Sequence, residues 1–460
     1  MKSNPKTLLV AVATAIAVAG ASPVAVKRAS DTTVVHLNQC SGSPQHFAQG
    51  VLYGVNGTSP PQSYVTDLGI NYLSEGGAQI DAQPAGYAAS MASYQRRFNQ
   101  LLGGYQRMRA VGGVTIAKMA DLYGADETTD SSFVWPGDNG DWTKWDAFVQ
   151  QLISDIKANG MTAAYVLQLE PWNEPDINFG GRPQSQFNEL WRRTTVALRS
   201  AFGPNTSSYL PIVGPSTAGN PGYNNDWWNS WLSSIQSNGG TSVQPDVYNW
   251  HMEGGLPNDP IPPAQALPAY VRNYGLTTGI GIQNNEFGVR EQQVPGWAAW
   301  FHARYERLKF NALRGNWARG AALLDSLADL LIKNSDGSYS ETGEYQVYKF
   351  YKLMAGAPCN TDSGSSIDSY AVGATNNVTA LVGSENFSGT WNVNFQNVDS
   401  YFGSATQVKA DLIYLPYSNG GVVNGWTTSS TKTLAVSNNA VTASFSVANG
   451  QDAYAVRLHI

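Results

Sequence analysis

Glu174 and Glu286 are the two carboxylates of this chain whose settings suit chemistry. Glu174 stands in Trp172-Asn173-Glu174-Pro175 and Glu286 in Asn284-Asn285-Glu286-Phe287-Gly288. Each comes at or just past the end of a short apolar run, where a strand would stop. Pro171 and Pro175 stiffen the first loop and remove two backbone donors. Gly288 lets the chain turn sharply after Glu286, and Phe287 is expected to point back into the wall. Two carboxyls are what cleavage of a glycosidic bond requires. One protonates the leaving oxygen, and the other attacks the anomeric carbon or activates water. Two carboxylates close together do not both ionise freely, so one is expected to stay protonated. We assign the raised value to Glu174, as acid/base, and the nucleophile's role to Glu286.

Such residues must be held by rigid elements. Between 47 and 345, short apolar runs alternate with helical stretches, as in repeated β-α units. Strands are expected at 51–55, 70–73, 114–119, 163–169, 210–213, 247–251, 280–284 and 317–325. Residues 142–159 read as an amphipathic helix, with Trp145, Phe148, Leu152, Ile153 and Ile156 on one face. Helices are also expected at 187–202 and 300–314. Eight strands at this length predict a (β/α)8 TIM barrel, whose catalytic residues sit at the C-terminal strand ends. Glu174 then follows strand four and Glu286 strand seven, facing each other across the mouth. Residues 346–460 carry short alternating runs punctuated by Gly, Asn and Ser, which predict an antiparallel β-sandwich. Thr33–Leu37, within 29–46, is expected to pair with that sandwich. No internal repeat or low-complexity linker separates the two domains.

The chain has 460 residues, a net charge of −6 and 13% charged residues, against 14 Trp and 23 Tyr. No block of Lys or Arg forms a phosphate-binding stripe, which argues against nucleic acid. A surface poor in charge and rich in flat rings suits neutral sugars, although large cores also consume Trp. Lys2 and Lys6 precede an apolar run from Leu8 to Val18, and Ala19-Gly20-Ala21 fits a cleavage site. We therefore expect a signal peptide over 1–21, a propeptide over 22–28 ending at Lys27-Arg28, and a secreted, extracellular protein. The run is too short to span a bilayer comfortably, and no later one approaches the roughly 18 apolar residues that would suffice, so no membrane partner is expected. Cys40 and Cys359, an even pair in an exported chain, favour a disulfide over two buried thiols. Asn56, Asn205, Asn377 and Asn386 head N-glycosylation sequons. No zinc-ligand spacing appears among the cysteines and histidines. No cofactor is expected, and the protein should act as a monomer on an oligo- or polysaccharide.

Trp172-Asn173-Glu174-Pro175 after strand four, with Glu286 after strand seven, resembles the clan A glycoside hydrolases. The resemblance covers roughly 47–340. It implies a retaining double displacement on β-linked glycosides. It also implies that Asn173 binds the sugar 2-hydroxyl, that Tyr248 or His251 contacts nucleophile or substrate, and that Trp317 floors the glycone pocket. Trp172 and Asn285 are taken as further substrate contacts. A barrel with an appended β-sandwich is similar to families 39, 30 and 79, family 39 foremost. Two departures stand out. Glu286 is followed by Phe287 where family 39 usually has Trp, and Ser74-Glu75 stand where many members carry an early Arg.

Several neighbours have plainer readings beside the functional one. Glu253, Glu291 and Glu75 lie near expected strand ends and rival Glu286. Glu170 could pair with an Arg or Lys. His251 could be hydrogen-bond scaffold, and Trp317 could fill the barrel. Asp121 and Asp176 flank the mouth. Trp227, Trp228 and Trp231 form either a stacking rim or helix core. A transglycosylase would use the same two carboxylates. A non-catalytic carbohydrate-binding barrel would not need them, and an esterase would need a Ser elbow that is not evident.

Overall fold

The computed structural model describes residues 30–81, 84–206, 208–253 and 258–460. The expected signal peptide and propeptide lie outside the described residues. Strand β1 (Ser30–Cys40) precedes the barrel strands β2 (Gly50–Leu52), β3 (Tyr72–Glu75), β4 (Val114–Lys118), β5 (Leu167–Glu170), β6 (Val213–Thr217), β7 (Val247–Met252), β8 (Gly281–Phe287) and β9 (Asn311–Arg314). Among the described residues these eight form a parallel sheet in the order β5-β4-β3-β2-β9-β8-β7-β6, and a parallel bridge from Leu169 to Ile212 joins its ends. The ring is thus a (β/α)8 barrel.

Helical periodicity places the outer layer. Helix Thr143–Ala158 buries Trp145, Phe148, Leu152, Ile153 and Ile156, the stripe that period 3.6 demands. The expected helix 300–314 instead runs Pro295–Leu308 and stops where Lys309 turns left-handed, at φ 57°. This corrects the eighth strand. It is Asn311–Arg314, while 317–325 forms a loop and the short helix Ala321–Asp325. The strand lacks an apolar run because its last residue, Arg314, is buried in an ion pair with Glu344. Strand four begins at Leu167 rather than 163.

After the hairpin β10 (Leu331–Lys333) and β11 (Tyr339–Glu341), helix Gly343–Leu353 crosses the expected boundary at 345. Its Tyr345, Val347, Tyr348, Phe350 and Tyr351 belong to the barrel core, so the barrel extends through it. Then follow β12 (Ala357–Asp362), β13 (Ile367–Ala374), β14 (Asn377–Ser384), β15 (Gly389–Gln396), β16 (Gln407–Leu415), β17 (Thr427–Ala435), β18 (Ala440–Val447) and β19 (Ala453–His459). Among the described residues nine strands pair in the order β17-β16-β19-β14-β13-β12-β1-β15-β18, antiparallel except β1 with β15. The edge strands β17 and β18 approach each other, so the sheet curls around Val35, Trp391, Phe395, Phe445 and Leu458. Its other face sets Tyr370, Val372, Leu381 and Ala455 into the barrel core, against helix Pro295–Leu308. Arg307 donates to the fully buried Asp368 at 2.6 Å across that join. Strand β1 lies in the second domain's sheet, and the Cys40–Cys359 disulfide sits where β1 meets β12. No helix among the described residues is long and apolar enough to cross a membrane.

Candidate active site

Alternation along the barrel strands decides which side chains face inward. On β7, Asn249 and His251 face the interior, while Tyr248 and Trp250 face the helices. On β8 alternation alone would turn either Asn285 or Glu286 away. The pairing contains an extra residue here: Asn249 opposes Gln283, but His251 opposes Glu286. This bulge turns both Asn285 and Glu286 inward, as bulges near active sites do. Phe287 then packs outward on Phe301 and Tyr305, and Gly288 makes the turn at φ 88°.

Glu174 and Glu286 meet across the mouth. One oxygen of each, with a ring nitrogen of His251, all lie within 4.8 Å of one another. His251 Nδ1 is 2.9 Å from Glu174 Oε1 and 3.5 Å from Glu286 Oε2. Lys118, at the end of β4, places Nζ 2.5 Å from Glu286 Oε1. Glu174 is held with φ 46°, a strained conformation for a residue with a side chain. Its N–H donates to Ser216 O at 2.8 Å, which ties the loop after β5 to the end of β6. These carboxylates open into a cleft of about 440 Å³, lined also by Gln79, Glu253, Asn316 and Trp317. A larger hollow of about 750 Å³ lies by Cys359. Its acids are already engaged, Asp362 by His36 and Glu306 by Tyr351.

The electrostatics correct one expectation. Burial pushes the Glu174 carboxyl up, but the hydrogen bond and charge of His251, with Lys118 behind them, outweigh it and hold the group below its ordinary value. The proton sits instead on His251. Burial alone would discharge that ring, yet Glu286 and Glu174 on either side push it up to about 9. The three donor atoms could in principle meet a metal ion. The Lys118 ammonium already faces Glu286 and would repel one, so the set suits a proton better.

The other expected contacts divide. Trp317 lines the cleft and fixes its ring by donating from Nε1 to Gly288 O at 3.0 Å. Asn173 adjoins Glu174, with an enclosed amide oxygen that no described residue pairs. Asn285 is fully buried beneath the pair, where it donates to Glu170 and accepts from Asn249. Its amide is consumed by the scaffold. Tyr248 is also removed from the site. It packs on Trp228 and Trp231, and its hydroxyl accepts from Gln244. Trp172 is 1% exposed, packed at tilted and edge-on angles among Trp135, Trp145 and Phe179. It supports the Glu174 loop rather than touching a sugar. Trp172→Ala should therefore lower the unfolding free energy by about 3–5 kcal/mol, measured by urea denaturation. Unchanged stability with lost activity would return Trp172 to the sugar.

Among the rivals, Glu75 is buried under the mouth, pushed up to about 8 by desolvation, and Glu291 is exposed on the rim. Glu170 faces Lys118 and Asn285 from below, and burial pushes it up to about 7. Asp176 clamps the N–H groups of Ala218 and Gly219, and Asp121 accepts from Tyr53. Trp228 and Trp231 are core. Sequence reasoning missed Lys118, although a lone cation ending the run Val114-Thr-Ile-Ala-Lys118 was a visible signal.

No protein-family model matches the chain, and no curated protein matches it. Among solved structures it is similar to N2152 from Neocallimastix frontalis, at TM-score 0.74 and 22% identity over 94% of this chain and 99% of that one. It is similar to the GH39 enzyme of Xanthomonas axonopodis pv. citri at TM-score 0.59 and 12% identity, over 94% and 97%. The glycoside hydrolase family 30 subfamily 8 xylanase Xyn30A from Clostridium acetobutylicum follows at TM-score 0.53 and 15% identity, over 93% and 100%. Two of these neighbours are thus named as enzymes of glycoside hydrolase families 39 and 30, and the chain shares their fold across both domains.

Proposed function

We propose that this chain is a secreted, retaining β-glycosidase acting on cell-wall type glycans. The observation that carries the reading is the approach of Glu174 and Glu286 within 4.8 Å at the mouth of the barrel. Retaining enzymes hold their carboxyls about 5–5.5 Å apart, whereas inverting ones leave about 6.5–9.5 Å for a water. In the first step a Glu286 oxygen bonds to the anomeric carbon as the bond to the leaving oxygen breaks, and Glu174 gives that oxygen its proton. In the second, water attacks the same carbon, Glu174 takes the water's proton, and the Glu286 ester bond breaks.

His251 supplies what the resting Glu174 lacks. A sugar filling the cleft displaces the water that screens Glu174. The burial already pushing this carboxyl up increases, and the proton passes from Nδ1 across 2.9 Å. Glu286 stays paired to Lys118 and remains the nucleophile. Asn173, with its unpaired amide oxygen, accepts from a glycone hydroxyl, and Trp317 forms the apolar wall. Asn205 and Asn386 are exposed and suit glycans of an exported protein.

The test is turnover of aryl β-glycosides, β-xylosides first, with the anomer followed by proton NMR. The β-anomer is expected as the first product, with activity recovered in the culture medium. The α-anomer first would overturn retention, and activity confined to cells would overturn export.

A further inference from the structure

Four carboxylates line the cleft, and three of them have partners. Glu127 is held by Arg319, Glu174 by His251, and Glu286 by Lys118 and His251. Glu253, directly after β7, is the fourth. Its Oε1 is enclosed and has no hydrogen-bond partner among the described residues. The site is built to seat it. Gly315 follows β9 immediately, and a β-carbon there would overlap Glu253 Oε1. Two strand ends therefore cooperate to bring this group to the sugar's side of the cleft.

An enclosed carboxylate without a donor is costly, and Glu286 and Glu174 beside it add repulsion. Burial first, then Glu286, holds the Glu253 carboxyl well above the usual carboxylate range, against the opposing pull of His251 and Lys118. As the neutral acid it carries an O–H. Glu286 already accepts from Lys118, and any proton on Glu174 is committed to the leaving oxygen, so Glu253 offers the cleft a directional donor to the glycone.

We propose that Glu253 is a substrate-binding residue that donates a hydrogen bond to one hydroxyl oxygen of the glycone seated at Glu286. The proposal rests on the reading of the cleft as a glycosidase site. It separates Glu253 from the two reacting carboxyls: its role is to select and orient the sugar.

The experiment uses the full chain with E253Q and E253A, the aryl β-glycoside that the wild type cleaves best, and the set of its monodeoxy derivatives. E253A should lower kcat/KM about tenfold to a hundredfold on the parent glycoside. That penalty should largely vanish on one monodeoxy substrate, the one lacking the partner hydroxyl. E253Q, which keeps a donor of similar shape, should stay within about threefold of wild type. A penalty equal across the whole deoxy set would reduce Glu253 to a packing role and overturn the proposal. So would full activity of E253A. Loss in E253Q as deep as in Glu286→Gln would make Glu253 a reacting carboxylate instead. A wild type silent on every β-glycoside would sink the glycosidase reading and this proposal together, whereas active wild type with unchanged E253A sinks this proposal alone.

Discussion

Glu286→Gln should lower kcat/KM by roughly 10⁴-fold or more on every aryl β-glycoside, about 5.5 kcal/mol of transition-state stabilisation. The amide is isosteric but cannot form the glycosyl ester, so no change of leaving group or added anion should restore retained product. Glu174→Gln should behave differently. An aryl leaving group of low basicity needs little protonation, so the first step should survive on activated substrates while the second slows for want of a base. The glycosyl-enzyme should then accumulate and give a burst. Azide needs no base and should restore turnover, yielding the β-glycosyl azide. The contrast follows from placement. Glu286 is nearly enclosed, with Lys118 at 2.5 Å, while Glu174 sits across the opening beside a proton donor. Burst kinetics and azide product analysis check both halves. Full activity in Glu286→Gln would pass the nucleophile's role to Glu253. A Glu174→Gln variant that azide leaves unmoved would remove the acid/base assignment.

The positions of these two residues were legible in the sequence because each stands at a strand end beside strong backbone punctuation, Pro171 and Pro175 or Gly288. The strands of the second domain were legible too, though not that they form one curled sheet. Trp391 to Phe395 and Val441 to Ser446 alternate cleanly, and both segments lie within observed strands. Tyr248 shows where reading by proximity failed. Tyr248 and His251 are three residues apart on one strand, so period two sends them to opposite faces, a parity that their spacing alone dictates. Asn285 and Glu286 break the same parity together. That depends on a bulge, which no local sequence signal announced. The eighth strand was missed because its buried Arg314 is satisfied by Glu344, a partner 30 residues on. The charge state of Glu174 was hidden for a similar reason. His251 lies 77 residues away, and its charge depends on both carboxylates at once.

Lys118→Met should be the second most damaging change, and its effect should depend on pH. Lys118 is 3% exposed and is the buried cation that Glu286, Asp121 and Glu170 share. Burial opposes its charge, and those three carboxyls more than compensate, so it stays protonated well above its ordinary range. Methionine keeps the length and removes the charge. The nucleophile then loses its cation, and kcat should fall by about 10²–10³, as when a charge-stabilising group is removed from other sites. Stability should fall by about 3–5 kcal/mol at pH 8, the range for deleting one partner of a buried pair. The loss should be smaller at pH 5. Burial raises Glu170 to about 7 and Asp121 to about 6 even with Lys118 beside them. A carboxyl raised in the folded state binds its proton more tightly folded than unfolded. Stability from such a group is therefore greatest in acid and declines as pH climbs from the unfolded value through the folded one. For Glu170 that window runs from 4.5 to about 7, and for Asp121 from 3.8 to about 6. Lys118 now pulls both values down, so its removal must push them higher and steepen the decline. At pH 5 both groups can take protons and tolerate the missing cation, whereas at pH 8 they must stay charged or hold protons against the solvent. Urea denaturation of wild type and variant at the two pH values measures the difference. Equal losses at both would mean that Lys118 acts by packing alone, and kcat within about threefold of wild type would remove it from the support of Glu286.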